Sequence, residues 1–165
     1  MELSKKRFET EEEIDFYLEF IKEVKNTMEH PEWLGDFTKK ELLKLLNEGM
    51  IIWGYYDESN LASTSMLFPF TAKNNKDFNV EYEPNECMDY GVQAVKADHR
   101  GMSIQKVMLL ELDDYCKENN IKRVFTTVHP DNIYSIRNIL THGFELINQK
   151  KFKRGDRNIY QKNLE

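Results

Sequence analysis

The chain has 165 residues, 40% of them apolar and including 10 Phe and 8 Tyr, which suffices for one sizeable core and suits a single domain over 1–165. Its 29 acidic against 23 basic residues leave a formal charge of −6 and a pI near 5.4; this argues against a nucleic-acid partner and mildly favours a cationic one. No apolar run approaches the ~18 residues of a membrane span, the N-terminal residues lack the apolar segment of a secretory leader, and Cys87 and Cys116 have neither metal-ligand nor redox-pair spacing, so a cytoplasmic protein with reduced thiols, no metal and no membrane partner is expected.

Thr10 and Glu13 form a capping box ahead of Ile14, Tyr17, Leu18 and Ile21, which predicts a helix over 10–25. Thr38 and Glu41 repeat the signature, Leu42, Leu45 and Leu46 supply an apolar stripe, and Gly49 ends this second helix. Residues 50–56 are β-rich, Asp57-Glu58-Ser59-Asn60 is a turn, and 61–70 form the return strand of a hairpin. Residues 71–86 are polar without a clear period, as in a long loop. Residues 88–97 read as a strand, and 103 to about 119 as a helix with Ile104, Val107, Met108, Leu112 and Tyr115 on one side. A buried strand follows at 123–128 and a helix at 132–142, stopped by Gly143. Strands at 144–152 and 159–162 are joined through Arg154-Gly155-Asp156. Strand–helix–strand order in the second half requires a parallel pair and the hairpin an antiparallel one, so the class is α/β (α+β), a mixed sheet flanked by helices.

The stretch Val95-Lys96-Ala97-Asp98-His99-Arg100-Gly101-Met102-Ser103-Ile104-Gln105 runs from a strand end through an Arg-Gly turn into a helix. Amides at a helix start lack intrahelical partners and, with the helix dipole, form an anion site. Gly101 lets a ligand approach the backbone closely. The segment reads either as a plain structural turn or as a cradle for a phosphate or pyrophosphate. A Walker loop and a dinucleotide fingerprint are both absent. A second segment, Thr127-Val128-His129-Pro130-Asp131-Asn132, leads into a helix containing Ser135 that closes at His142-Gly143-Phe144.

In order and spacing the two segments resemble the GNAT superfamily of N-acetyltransferases, in which V-x-x-x-x-R-G precedes one helix and an Asn-headed helix later ends in Gly-Phe. The likeness covers the order of elements over nearly the whole chain, with its specific residues between about 89 and 144. It implies a mixed, mostly antiparallel central sheet flanked by helices, and direct transfer of acetyl from acetyl-CoA to an amine within a ternary complex. Gln93, Val95, Arg100, Gly101, Met102, Ser103, Ile104, Gln105, Asn132 and Ser135 would bind the coenzyme. Asp89, six residues before Val95, would be the general base, and the Val95 amide would stabilise the oxyanion. In a regular strand Asp89 shares a face with Gly91, Gln93 and Val95.

Alternatives stay open at several residues. Asp89 is either the base or a solvated strand-edge acid, with Glu86 the second candidate. Asn132 is either a ligand contact or a helix cap. Ser103 and Gln105 stand where the family has small residues, and Ile139 where it often has the tyrosine that reprotonates the thiolate. Tyr134, Tyr160 and His142 are substitutes for that acid, none at the family's position. A catalytically weak or inactive acyl-CoA-binding module of the same fold is the alternative function. His30, His99, His129 and His142 lack metal spacing and read as surface or turn residues. Trp33 lies between the first two helices, a connection that borders the acceptor site in the resembled family. The acceptor is a small-molecule or peptide amine, and the assembly a monomer or homodimer.

Overall fold

Helix starts in the computed structural model, which describes residues 2–165, follow the caps the chain supplies. Among the described residues the α-helices are α1 (Glu11–Asn26), α2 (Lys39–Asn47), α3 (Ala72–Phe78), α4 (Ile104–Glu118) and α5 (Ile133–Thr141). At α1 the Thr10 hydroxyl accepts from the Glu13 amide at 3.1 Å while the Glu13 carboxylate accepts from the Thr10 amide at 3.0 Å. That carboxylate also accepts from the Glu9 amide and pairs with Lys6, and these bonds hold its pKa down at about 2 against the opposing effect of burial. Thr38 and Glu41 build the same box for α2. α3 lies in the stretch expected to be a loop. Its box uses Thr71 and Asn74 rather than Glu or Gln, and it ends after two turns on Asn79 at φ 56°.

The described strands are β1 (Ser4–Phe8), β2 (Ile51–Asp57), β3 (Asn60–Pro69), β4 (Cys87–Tyr90), β5 (Ala94–Val95), β6 (Arg123–Val128), β7 (Glu145–Phe152) and β8 (Gly155–Asn163). They pair mostly antiparallel, with β4 parallel to β6, and with the helices form the expected mixed α/β class. Residues divide into two compact units. One holds the chain up to Leu67 with Val92–Gln105, the other Phe68–Gly91 with Lys106–Glu165.

In the first unit β1, β2 and β3 form an antiparallel meander and β5 adds to β3, with Val95 opposite Ser63. β1 carries no apolar pattern that marks a strand in the sequence, because four of its five residues are exposed and only Phe8 turns inward. Phe8 comes so close to Gly54 that a Cβ there would sit 2.6 Å from the ring. Trp53 is buried, whereas Trp33 is half-buried and stacks on His30 at 4.4 Å.

In the second unit β6 pairs with β8 and β8 with β7, all antiparallel. Phe70, Phe78, Cys87, Phe125 and Ile159 form a core cluster, with the Phe70 and Phe125 rings 4.9 Å apart. The buried stripe of α4 differs from the expected one. Val107 is 40% exposed and Tyr115 half-buried, while Leu109, Asp113 and Cys116 turn inward. Both cysteine thiols are free and buried. The expected strand over 88–97 is two strands with a break at residues 91–93, because β4 takes β6 as its partner and β5 takes β3. Alternation therefore cannot be carried from Asp89 through to Val95.

Candidate active site

Residues 93–105 occupy the first unit. β5 is held to β3 by the Lys96 amide, which donates to the Ala62 carbonyl at 2.8 Å. In an antiparallel ladder bonded and non-bonded pairs alternate, so the adjacent Val95–Ser63 pair is non-bonded. The Val95 N–H and C=O are thus turned away from β3, as an oxyanion donor or an added extended segment requires. Gln93, just upstream, has a buried Oε1 without a hydrogen-bond partner, so a donor arriving there would be favoured.

Beyond β5 the chain makes a 3₁₀ turn at Ala97–His99, then passes Gly101 at φ 80° and Ser103 at φ 60° before α4 begins. Two left-handed residues in three fold the connection sharply onto the helix start. An added Cβ at Gly101 would have no neighbour within 4 Å, so the backbone there is open to a ligand. Met102 is half-exposed, Ser103 exposed, Ile104 buried and Gln105 half-buried. Arg100 donates through Nη1 to the Thr27 carbonyl at 3.3 Å and through Nη2 to its hydroxyl at 2.9 Å, which ties the turn to the end of α1. Lys96 approaches Glu23 of α1 at 3.7 Å. His99, expected to be a surface or turn residue, lies in this turn, but its side chain is only 12% exposed and sits between two carboxylates, Asp98 at 2.6 Å and Asp57 at 3.0 Å.

Asp89, Asn132 and Ser135 occupy the second unit. Asp89 sits opposite Phe125 and is half-buried. Burial pushes its carboxyl up to about 7, with Arg154 opposing the shift, which suits a proton acceptor near neutrality. The next residue, Tyr90, is buried and donates to Asp113 Oδ1 at 2.5 Å. His142 reaches the other Asp113 oxygen at 2.8 Å, and Lys162 pairs with that same oxygen. His142 is therefore an enclosed partner of Asp113, its side chain 8% exposed, rather than a surface residue. Asn132 Oδ1 accepts from the Ser135 amide at 3.3 Å and so caps α5. Ile139 is buried, Tyr160 is buried and bonded to Asn158, and Tyr134 is 74% exposed.

A cavity of about 280 Å³ opens in the first unit between α1 and the α1–α2 connection, lined in part by Tyr17, Ile21, Lys22, Lys25, Asp36 and Phe37. Lys25 donates to the Leu34 carbonyl at 3.2 Å and pairs with Asp36. Among the described residues no group of three metal-ligating side chains gathers, and no helix is long and apolar enough to cross a membrane.

Residues 16–144, a span that runs across both units, match the model of the acetyltransferase (GNAT) family. Solved structures share the fold. A Staphylococcus epidermidis protein described as a probable acetyltransferase superposes with a TM-score of 0.76 at 16% identity, over 98% of this chain and 99% of that one. A GNAT-family acetyltransferase from Streptococcus pneumoniae gives 0.74 at 15%, over 99% and 100%. The PaiA N-acetyltransferase of Thermoplasma acidophilum, in complex with coenzyme A, gives 0.70 at 16%, over 99% of each chain. No curated protein matches by sequence.

Proposed function

From the premise that the chain belongs to the GNAT acetyltransferase family, we propose that it moves acetyl from acetyl-CoA directly to an amine within a ternary complex. The observation that carries this reading is the turn over 100–105, where the backbone is open at Gly101 and leads into the first turn of a 15-residue helix. That combination favours a diphosphate. The coenzyme A complex of the PaiA relative supports the same ligand. The family match spans both units, which supports reading 1–165 as one domain.

Each residue then has a task. Main-chain amides of 100–105 hold the diphosphate, and Ser103 and Gln105 face it where smaller residues are usual. The open side of β5 pairs with the pantetheine arm like an added strand, and Gln93 Oε1 accepts from an amide of that arm. Asn132, with its oxygen committed to the cap, offers its amide nitrogen near Ser135 to the far end of the coenzyme. Asp89 takes a proton from the acceptor ammonium, directly or through a water. The freed nitrogen attacks the thioester carbonyl carbon, and the Val95 N–H donates to the carbonyl oxygen as charge develops there. The C–N bond forms, the C–S bond breaks, and the proton ends on the sulfur or in solvent. A thiol of ordinary pKa ~8.5 leaves readily, so the chemistry proceeds with Ile139 in place of a tyrosine. The cavity beside the α1–α2 connection suits a small-molecule or peptide amine.

Calorimetric titration with acetyl-CoA, followed by thiol release over a panel of amines, tests the reading. Binding with amine-dependent release supports it. Binding without release across the panel would leave only a coenzyme-binding module, the reading that buried Ile139 favours. Absence of binding would overturn both. In the wild type kcat/KM rises with pH through about 7, because Asp89 accepts a proton only once ionised. Asp89→Asn lowers turnover by about 10²–10⁴-fold and flattens that limb while leaving coenzyme affinity nearly intact. A pH–rate profile unchanged in the variant would remove Asp89 from the mechanism.

A further inference from the structure

His99 immediately precedes the proposed diphosphate turn, and its contacts involve no part of the chemistry assigned above. Its Nδ1 lies 2.6 Å from Asp98 Oδ1 and its Nε2 3.0 Å from Asp57 Oδ2. Carboxylates only accept, so both ring nitrogens must donate, which requires the imidazolium. Asp57 ends β2, and Asp98 lies on the same 3₁₀ turn as His99. The ring therefore clamps the β2–β3 turn to the approach of the proposed binding loop.

Of the other charged groups on this stretch two are engaged, whereas Lys106, on the first turn of α4, is exposed. Lys96 is paired with Glu23 of α1, and Arg100 donates to Thr27. Glu58 follows Asp57 in the hairpin turn at φ 57°. The local charge of Asp57, Asp98 and His99 is thus −1 with the imidazolium and −2 without it. A second uncompensated negative charge beside a site for an anion opposes binding. The two carboxylates, Asp57 first, also raise the His99 pKa above its ordinary value, while burial acts the other way. Since the folded value lies above the free one, the clamp is complete on the acid side of the free value and is lost as pH rises through the folded one.

We propose that His99 is a positioning residue, held as an imidazolium between Asp57 and Asp98, and that binding of a diphosphate on residues 100–105 is coupled to its protonation. This rests on the coenzyme-binding reading above. Binding at the turn favours the protonated ring, and by linkage the protonated ring favours binding.

The test uses the full chain and coenzyme A itself. Its dissociation constant is measured by calorimetry from pH 6 to pH 9 for the wild type and His99→Gln. Titration of the coenzyme's own phosphate and thiol is common to both proteins and cancels in the difference. The wild type loses about 5- to 10-fold more affinity across this range than the variant. Independently, nuclear magnetic resonance of the assigned histidine rings follows His99 in the wild type with and without coenzyme A. The ring titrates above the ordinary histidine range, and its midpoint moves upward when the coenzyme binds, so the proposal is testable even where the variant folds poorly. Parallel pH curves in the two proteins, or a ring midpoint unmoved by the ligand, would overturn the coupling and leave the acetyltransferase reading intact. A ring titrating at or below the ordinary range would overturn the clamp itself. Absence of coenzyme binding at every pH would remove the function and the coupling together.

Discussion

Ser103 carries a backbone penalty in full view of solvent. At φ 60° its Cβ crowds the peptide that follows, a conformation unfavourable by about 1–2 kcal/mol for a residue with a side chain. Ser103→Gly removes that penalty but gives the unfolded chain more freedom, worth about 0.4–1 kcal/mol in the other direction. The net expectation is a gain of about 0.5–1 kcal/mol, read as a rise of roughly 1–4 °C in thermal melting. A lower melting temperature would show that the serine side chain makes a compensating contact. The spacing around Val95 and Arg100 brings Ser103 to notice in the sequence, but its left-handed geometry is a property of the folded turn. Asp89 is similar: its distance from Val95 is readable along the chain, while the pKa of about 7 arises from burial, which outweighs the opposing charge of Arg154, far off in sequence. His99 and His142 read as surface or turn residues, and their enclosure is hidden because Asp57, which closes the far side of His99, and Asp113, which holds His142, lie 42 and 29 positions away.

Among the elements, those with strong local signals are the ones legible beforehand. Capping boxes announce α1 and α2, a β-rich apolar run and a turn announce the β2–β3 hairpin, and Gly143 closes α5. β1 is silent because a charged outer strand buries a single side chain, and its lysines and arginine suit an edge. α3 is silent because a seven-residue helix shows little periodicity and its cap substitutes Asn74 for an acid. The break at residues 91–93 depends on which neighbours β4 and β5 choose, information that no local window contains. The join of β1 to β2 depends on Gly54, where an added Cβ would lie 2.6 Å from Phe8 Cζ and 2.9 Å from Leu61 Cδ1. Gly54→Ala therefore destabilises by about 1–3 kcal/mol, read from the denaturant midpoint. Adding Phe8→Leu recovers part of the loss, because the two changes share one contact. Strict additivity of the pair would disconnect the glycine from the ring.

At the scale of the whole molecule, the second unit gathers a group of enclosed polar side chains around Asp113. The group joins Tyr90 of β4, Asp113 of α4, His142 at the end of α5 and Lys162 of β8. Burial pushes the Asp113 carboxyl up, but bonds from His142, Lys162 and Tyr90 outweigh it and hold the group below the usual carboxylate range. A folded value below the unfolded one stabilises the protein above ~3.9 and loses that contribution as pH falls through the folded value. Removing the anion strands Lys162 and His142, so Asp113→Ala destabilises by about 3–5 kcal/mol. The wild-type melting temperature falls on acidification below pH ~4 by more than that of the variant. Parallel curves would show that the group contributes nothing through its charge. None of this network is legible in sequence, since its members come from four separate elements. The family's two signatures, by contrast, lie in short contiguous segments.

The two enclosed cysteines have a practical consequence at the bench. Burial lifts Cys87 to about 11 and Cys116 to about 12, so at neutral pH both remain protonated and shielded from electrophiles. A chromogenic aromatic disulfide added to the native protein would consequently report free coenzyme sulfhydryl against a flat background, and turnover could be followed continuously without mutating the enzyme.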